Sequence, residues 1–178
     1  SGRWQLVMLL VLVIGPMVLA SAMYYGRFWI PDGRNYHGEL IGGSVSLAEL
    51  GVPADTEKSW QLLVSAPEEC VEECQQLVYL ARQIHIGLGR EASRAQHALA
   101  LANPPSSELS EQLLKEYPQL QRYPLDVKAY QQVLPNNTAP QLWIVDPLGN
   151  LVLRYPTGAS GKDILLDLRQ LLKISNIG

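Results

Sequence analysis

Between Ser59 and Ile86 the chain runs from an apolar, branched stretch, Trp60–Ala66, through the stop Pro67-Glu68-Glu69 into a helical pattern that opens at Cys70. In that pattern Leu77, Val78, Leu80, Ala81 and Ile84 recur at helix spacing, and the predicted helix covers about Cys70–Gly87. Cys70 and Cys74 are the only two cysteines among 178 residues. A strand that delivers two thiols to a helix start is a chemical arrangement, because backbone N–H groups are unpaired there and the helix dipole stabilises a thiolate. Four residues apart, the two sulfurs lie on one face and can share a metal ion or pair.

A second feature fixes the organisation of the chain. Leu6–Ala22 carries no charge, and with Trp4 and Tyr24-Tyr25 as flanks it reaches about 33 Å as a helix, enough to cross a bilayer core. Arg3 on one side and Tyr24, Tyr25, Phe28 and Trp29 on the other read as a basic flank and an interfacial aromatic belt. Gly15-Pro16 inside it is damaging in a soluble helix and tolerated in a membrane. Ala20-Ser21-Ala22 also fits a signal-cleavage site. We read residues 1–26 as a transmembrane anchor or uncleaved signal, 27–58 as a tether with an edge hairpin, and 59–178 as the folded domain. The net charge of −3 argues against nucleic acid as a partner.

Beyond the tether, Val45–Val52 reads as an edge strand or hairpin, and Ala98–Ala102 as a second strand. Ser107 or Ser110 can cap a helix through Glu111–Tyr117, and Leu125–Leu134 holds another amphipathic turn or two. Gln141–Val145, the turn Asp146-Pro147-Leu148-Gly149 and Asn150–Tyr155 form the clearest β-hairpin. A closing helix follows, with Ile164, Leu165, Leu168, Leu171 and Leu172 in one apolar stripe. The order is strand, helix, strand, helix, hairpin, helix.

That order, with cysteines at the start of the first long helix, resembles the thioredoxin superfamily. The resemblance implies an α/β fold, a central mixed sheet flanked by helices, here preceded by one transmembrane helix. Cys70-Val71-Glu72-Glu73-Cys74 has the C-x-x-x-C spacing of the Sco copper chaperones that serve cytochrome c oxidase assembly, and Leu142–Asn150 resembles the Sco strand ending in a D-P-x-G turn. A single N-terminal anchor is Sco-like too. The resemblance covers roughly Trp60–Leu172 and implies Cys70 and Cys74 as ligands for Cu(I). Sco proteins add a histidine just ahead of the hairpin strand, where this chain has Pro135-Asn136-Asn137-Thr138-Ala139-Pro140. Thr138-Ala139-Pro140 is instead similar to the Thr-x-Pro of thioredoxins, whose cis proline faces the cysteines, so Pro140 joins the pair as a candidate site residue.

The three histidines read as solvated or structural. His85 shares a helix with Cys74 but lies about 16 Å along the axis, His97 sits near a strand start, and only His37 in the tether has the freedom to reach the cysteines. Glu68, Glu69, Glu72 and Glu73 raise thiol pKa values and attract cations, which suits cation capture or a mildly reducing dithiol and not a strong oxidant. A two-thiolate site suits Cu(I), a soft ion. Three functions follow. The first is a membrane-tethered assembly factor handling copper or thiols of cytochrome oxidase subunit II, alone or with other assembly factors. The second is a thiol-disulfide oxidoreductase of the cell envelope, and the third a scaffold without chemistry. The expected location is a bacterial inner membrane, single-pass, with the domain in the oxidising periplasm.

Overall fold

The computed structural model describes residues 1–26, 36–42, 45–53 and 58–175. The chain divides into two units, Ser1–Asn35 and Tyr36–Gly178. The first holds α1, Gly2–Gly26, a 25-residue helix with no buried residue, whose most apolar 18-residue window has mean hydropathy 2.6. At 1.5 Å per residue it is about 37 Å long, more than a bilayer's hydrocarbon core. Pro16 lies inside it, and Ser21 Oγ donates to the Met17 carbonyl one turn back. Arg27 to Asn35, including Phe28 and Trp29 of the aromatic belt, lie outside the described residues.

The second unit is a six-stranded mixed sheet in the order β1-β6-β5-β2-β3-β4. Its strands are β1 (Glu39–Leu40), β2 (Trp60–Ala66), β3 (Ala95–Leu101), β4 (Gln121–Pro124), β5 (Gln141–Val145) and β6 (Leu151–Tyr155). β2 lies parallel to β3, and β3 to β4, whereas β5 runs antiparallel to β2 and to β6. Every residue of β2 is buried, which is why its sequence is apolar without alternation. Leu62, Leu63 and Val64 are fully enclosed, each contributing about 1.5–3 kcal/mol by leaving water.

Helices cover both faces. On one, α3 (Glu72–Gly87), α4 (Ser107–Glu116) and α6 (Gly161–Ile174) pack Leu77, Val78, Leu113, Ile164 and Leu168 against Leu62, Val64 and Leu99. On the other, α2 (Leu47–Leu50) and α5 (Val127–Val133) enclose Leu63, Ala98, Tyr130 and Trp143. There Trp143 Nε1–H donates to Ser65 Oγ at 2.8 Å, and Ser65 Oγ meets the Tyr130 hydroxyl at 2.9 Å, so these three buried polar groups are paired.

Several local expectations change. Val45–Val52 is neither strand nor hairpin: after a single bridge from Ser46 to Asn150 it forms α2, because Ser46 and Glu49 make a reciprocal capping box. The first long helix begins at Glu72, leaving Cys70 in the loop before it. The second strand starts earlier than Ala98, at Ala95, and α4 is capped by Ser106. β4 was not anticipated, being a four-residue, partly exposed edge strand ending in proline.

Part of the stretch read as tether is docked. Glu39–Leu40 pairs with Leu153–Arg154 of β6, and Glu39 forms an ion pair with Arg154. Just before it, the Asp167 carboxylate of α6, which is 1% exposed, accepts hydrogen bonds from the Tyr155 hydroxyl (2.5 Å), the His37 amide (2.9 Å), the Gly38 amide (3.0 Å) and His37 Nδ1 (2.9 Å). Burial pushes this carboxyl up, but the donors from Tyr155, His37 and Gly38 outweigh it and hold Asp167 below its ordinary value. The hydrogen bond to Asp167 raises His37 in turn. Gly38 is required by contact, since a Cβ there would lie 2.6 Å from the Tyr155 ring. Replacing Asp167 with Ala leaves these donors unpaired and is expected to lower the unfolding free energy by about 3 kcal/mol, read by denaturant titration. A change below about 1 kcal/mol would show that the carboxylate does not hold this segment.

Candidate functional site

Strand β2 ends at Ala66 and the chain turns through Pro67–Glu69, where the Val71 amide bonds back to the Glu69 carbonyl at 3.0 Å. This loop sets Cys70 against the first turn of α3, which contains Cys74. The two are joined as a disulfide with Cα atoms 5.1 Å apart. Cys74 is 1% exposed and Cys70 7% exposed, so both are buried and Cys70 is the more exposed of the two. The α3 N-terminus has no side-chain cap, leaving its first amides turned toward the sulfurs' end of the helix. Gln75 Nε2 donates to the Cys70 carbonyl at 3.3 Å and steadies the loop.

Cys70 lines a cavity of about 30 Å³ between α3 and α4, with Gln75, Val78, Gln112 and Tyr117 among its walls. Leu99 and Leu113 form part of it and also of a larger depression of about 450 Å³ that continues past Leu101, Pro104, Arg122 and Tyr123. No local pattern signals α4's part in this cleft, because Gln112, Leu113 and Tyr117 come to line the cavity beside Cys70 only through tertiary packing. Glu68, Glu69, Glu72 and Glu73 are all exposed around the loop.

Pro140 stands where β5 begins; its neighbour Gln141 pairs with Ser65, so it lies at the end of the sheet from which β2 leads to Cys70. The cis proline implied by the thioredoxin resemblance is absent, since no peptide bond among the described residues is cis. Asn136, at φ 59°, and an Asn137 side chain accepting from the Ala139 amide at 3.0 Å make the bend instead.

The histidines are placed elsewhere. His37, which had the reach on sequence grounds, is tied to Asp167, with Asp163 3.7 Å from its Nε2. His85 Nδ1 lies 2.9 Å from His97 Nδ1. No group of three or more His, Cys, Asp or Glu side chains among the described residues is arranged to hold a metal ion. Paired as a disulfide, the sulfurs offer no thiolate, so metal binding at Cys70 and Cys74 requires prior reduction.

His97 is 3% exposed. Burial, then the neighbouring charges of His85 and Arg82, push its imidazole down to about 4. The folded state therefore favours neutral His97: the associated stability is fully present above pH 6.5 and is lost as pH falls from 6.5 to about 4. The loss is at most about 3 kcal/mol. Unfolding titrations from pH 7 to 4 are expected to show a steeper decline for the wild type than for His97→Gln, and parallel curves would contradict this.

A family model described as "Transmembrane-like, thioredoxin-like, C-terminal domain" matches residues 60–175, and one described as "Transmembrane-like, N-terminal domain" matches residues 1–27. No curated protein matches the chain. Among solved structures, copper-bound yeast Sco1 superposes with a TM-score of 0.52 at 13% identity, covering 67% of this chain and 82% of that one. Yeast Sco1, in a second structure, gives 0.52 at 12% identity, with 67% and 83% covered. A DsbF homologue from Corynebacterium diphtheriae gives 0.51 at 14% identity, with 80% and 97% covered. At these identities the likeness establishes the fold, a thioredoxin-like sheet and helices. With both parts of the chain matched, one apolar span and the domain that follows it, the protein belongs to the family of transmembrane-like, thioredoxin-like proteins.

Proposed function

We propose that this protein is a membrane-anchored, Sco-like assembly factor for cytochrome c oxidase, handling the thiols and copper of the subunit II copper site through Cys70 and Cys74. The observation that carries this reading is the Cys70–Cys74 pair at the start of α3, with Cys70 bordering a cleft, in a thioredoxin-like domain behind one apolar span. Residues 1–26 serve as the anchor, the stretch 27–58 links it to the domain, and the domain works on the periplasmic face of a bacterial inner membrane. The C-x-x-x-C spacing and the Asp146–Gly149 turn support the Sco-like part of the reading.

In the thiol step, the reduced Cys70 thiolate attacks a client disulfide, forming a mixed disulfide and releasing one client thiolate. Cys74 then attacks Cys70 Sγ, which frees the second client thiolate and leaves the Cys70–Cys74 disulfide; two electrons pass to the client, and an external dithiol restores the pair. Pro140, at the β5 start, borders the approach of the client. In the copper step, the cargo is Cu(I), held by both thiolates and passed on by ligand exchange with the client's thiols. Because His37, His85 and His97 have other partners, the thiol step is the better supported of the two.

A Cys74→Ser chain is expected to accumulate a mixed disulfide through Cys70 when mixed with oxidised subunit II. Mass spectrometry that finds the adduct only on other envelope proteins would favour a general thiol-disulfide oxidoreductase. Copper provides a separate check. The reduced wild type should take up one Cu(I), with affinity at least about tenfold weaker in Cys70→Ser, and an unchanged affinity in the double serine variant ends the copper step. A cysteine-free chain that fully supports oxidase assembly would leave only a scaffold.

A further inference from the structure

We propose that His85 and His97 form a second cation site, taking a divalent first-row ion of the Cu2+ or Zn2+ class, apart from the cysteine pair. His85 lies in the last turn of α3 and His97 on β3, two packed elements of the core. Their Nδ1 atoms are 2.9 Å apart, with ring centroids 5.0 Å apart and ring planes inclined at 57°. His85 Nε2 is 2.8 Å from the Ala92 carbonyl oxygen. A carbonyl only accepts, so Nε2 carries the hydrogen, and in the neutral ring Nδ1 then presents a lone pair to His97. An imidazole oriented by donating its far N–H to a carbonyl is the arrangement that metal-ligating histidines use.

The spacing suits an ion. With metal–nitrogen distances of about 2.0–2.1 Å, two nitrogens 2.9 Å apart subtend about 90° at the ion, the angle between neighbouring positions of a tetragonal Cu2+ site. Opening the pair by about 0.4 Å reaches the tetrahedral angle of Zn2+. The His97 hydrogen that now bridges the rings moves from Nδ1 to Nε2, so both ligands bind neutral and no proton is released. His85 is partly exposed and gives an incoming ion its approach, whereas His97 lies on β3 inside the sheet. The nearby Arg82 guanidinium opposes a cation, but it stands 5.5 Å over the Tyr117 ring, and the carbonyl end of α3 favours positive charge at His85. Since no third His, Cys, Asp or Glu side chain among the described residues joins the pair, water completes the coordination.

The test uses the full chain in detergent micelles with Cys70–Cys74 kept oxidised, so that sulfur cannot bind and the outcome is independent of the thiol chemistry above. Titrated with Cu2+, the wild type should bind one ion whose electron paramagnetic resonance spectrum shows coupling to two imidazole nitrogens, and a large excess of Zn2+ should lower its occupancy. His85→Gln and His97→Gln should each weaken binding at least about tenfold and remove one nitrogen coupling, while His37→Gln changes neither. Should His97→Gln fail to fold, His85→Gln, altering the more exposed ring, decides alone. No binding by the wild type, or a two-nitrogen spectrum that survives His85→Gln, would overturn the site.

Discussion

The complete burial of β2 is the constraint on which the rest of this domain depends. A strand enclosed on both faces must have partners along both edges and layers above and below, because its backbone groups are paid for only by ladder hydrogen bonds. β3 and β5 supply the edges; α3, α4 and α6 close one face, α2 and α5 the other. With β2 fixed in this way, the chain leaves the sheet at a determined place, and the loop carrying Cys70 inherits the rigidity of the core.

That inheritance governs the chemistry. Cys74 is held inside by α3 while Cys70 lines a small cavity, so the disulfide is asymmetric, with Cys70 the more exposed of the two residues. The amides at the α3 N-terminus favour a thiolate, whereas the exposed carboxylates of Glu68, Glu69, Glu72 and Glu73 work against one. On the proposed function, that balance suits a mildly reducing pair and not a strong oxidant.

Much of this was readable in the residues. β2, the Asp146–Gly149 hairpin and the closing helix are announced by patterns local to a few turns of chain, and so is the placement of Cys74 in the first turn of α3, though not that of Cys70 in the loop before it. What escaped depends on contacts distant in sequence or on chemistry that overrides a pattern. β4 exists because β3 offers an edge; nothing in Gln121–Pro124 is strand-like by itself. The apolar rhythm of Val45–Val52 suggested extension, yet the Ser46/Glu49 cap closed a helical turn. The cleft walls and the His85–His97 contact arise only when helices settle on the sheet. The cis bond implied for Pro140 is absent, and asparagine side-chain chemistry shapes the preceding segment.

The clasp of Asp167 on His37 and Gly38 also has a mechanical meaning. Tension arriving along the chain from the N-terminal side meets this clasp and the β1–β6 pairing first, and is passed into α6 and the sheet edge. The loop bearing Cys70 departs from β2, two strands further in, and is sheltered from that load. Thermal tugging by a fluid bilayer is thus absorbed at a hydrogen-bonded rivet before it can strain the bond between the sulfurs.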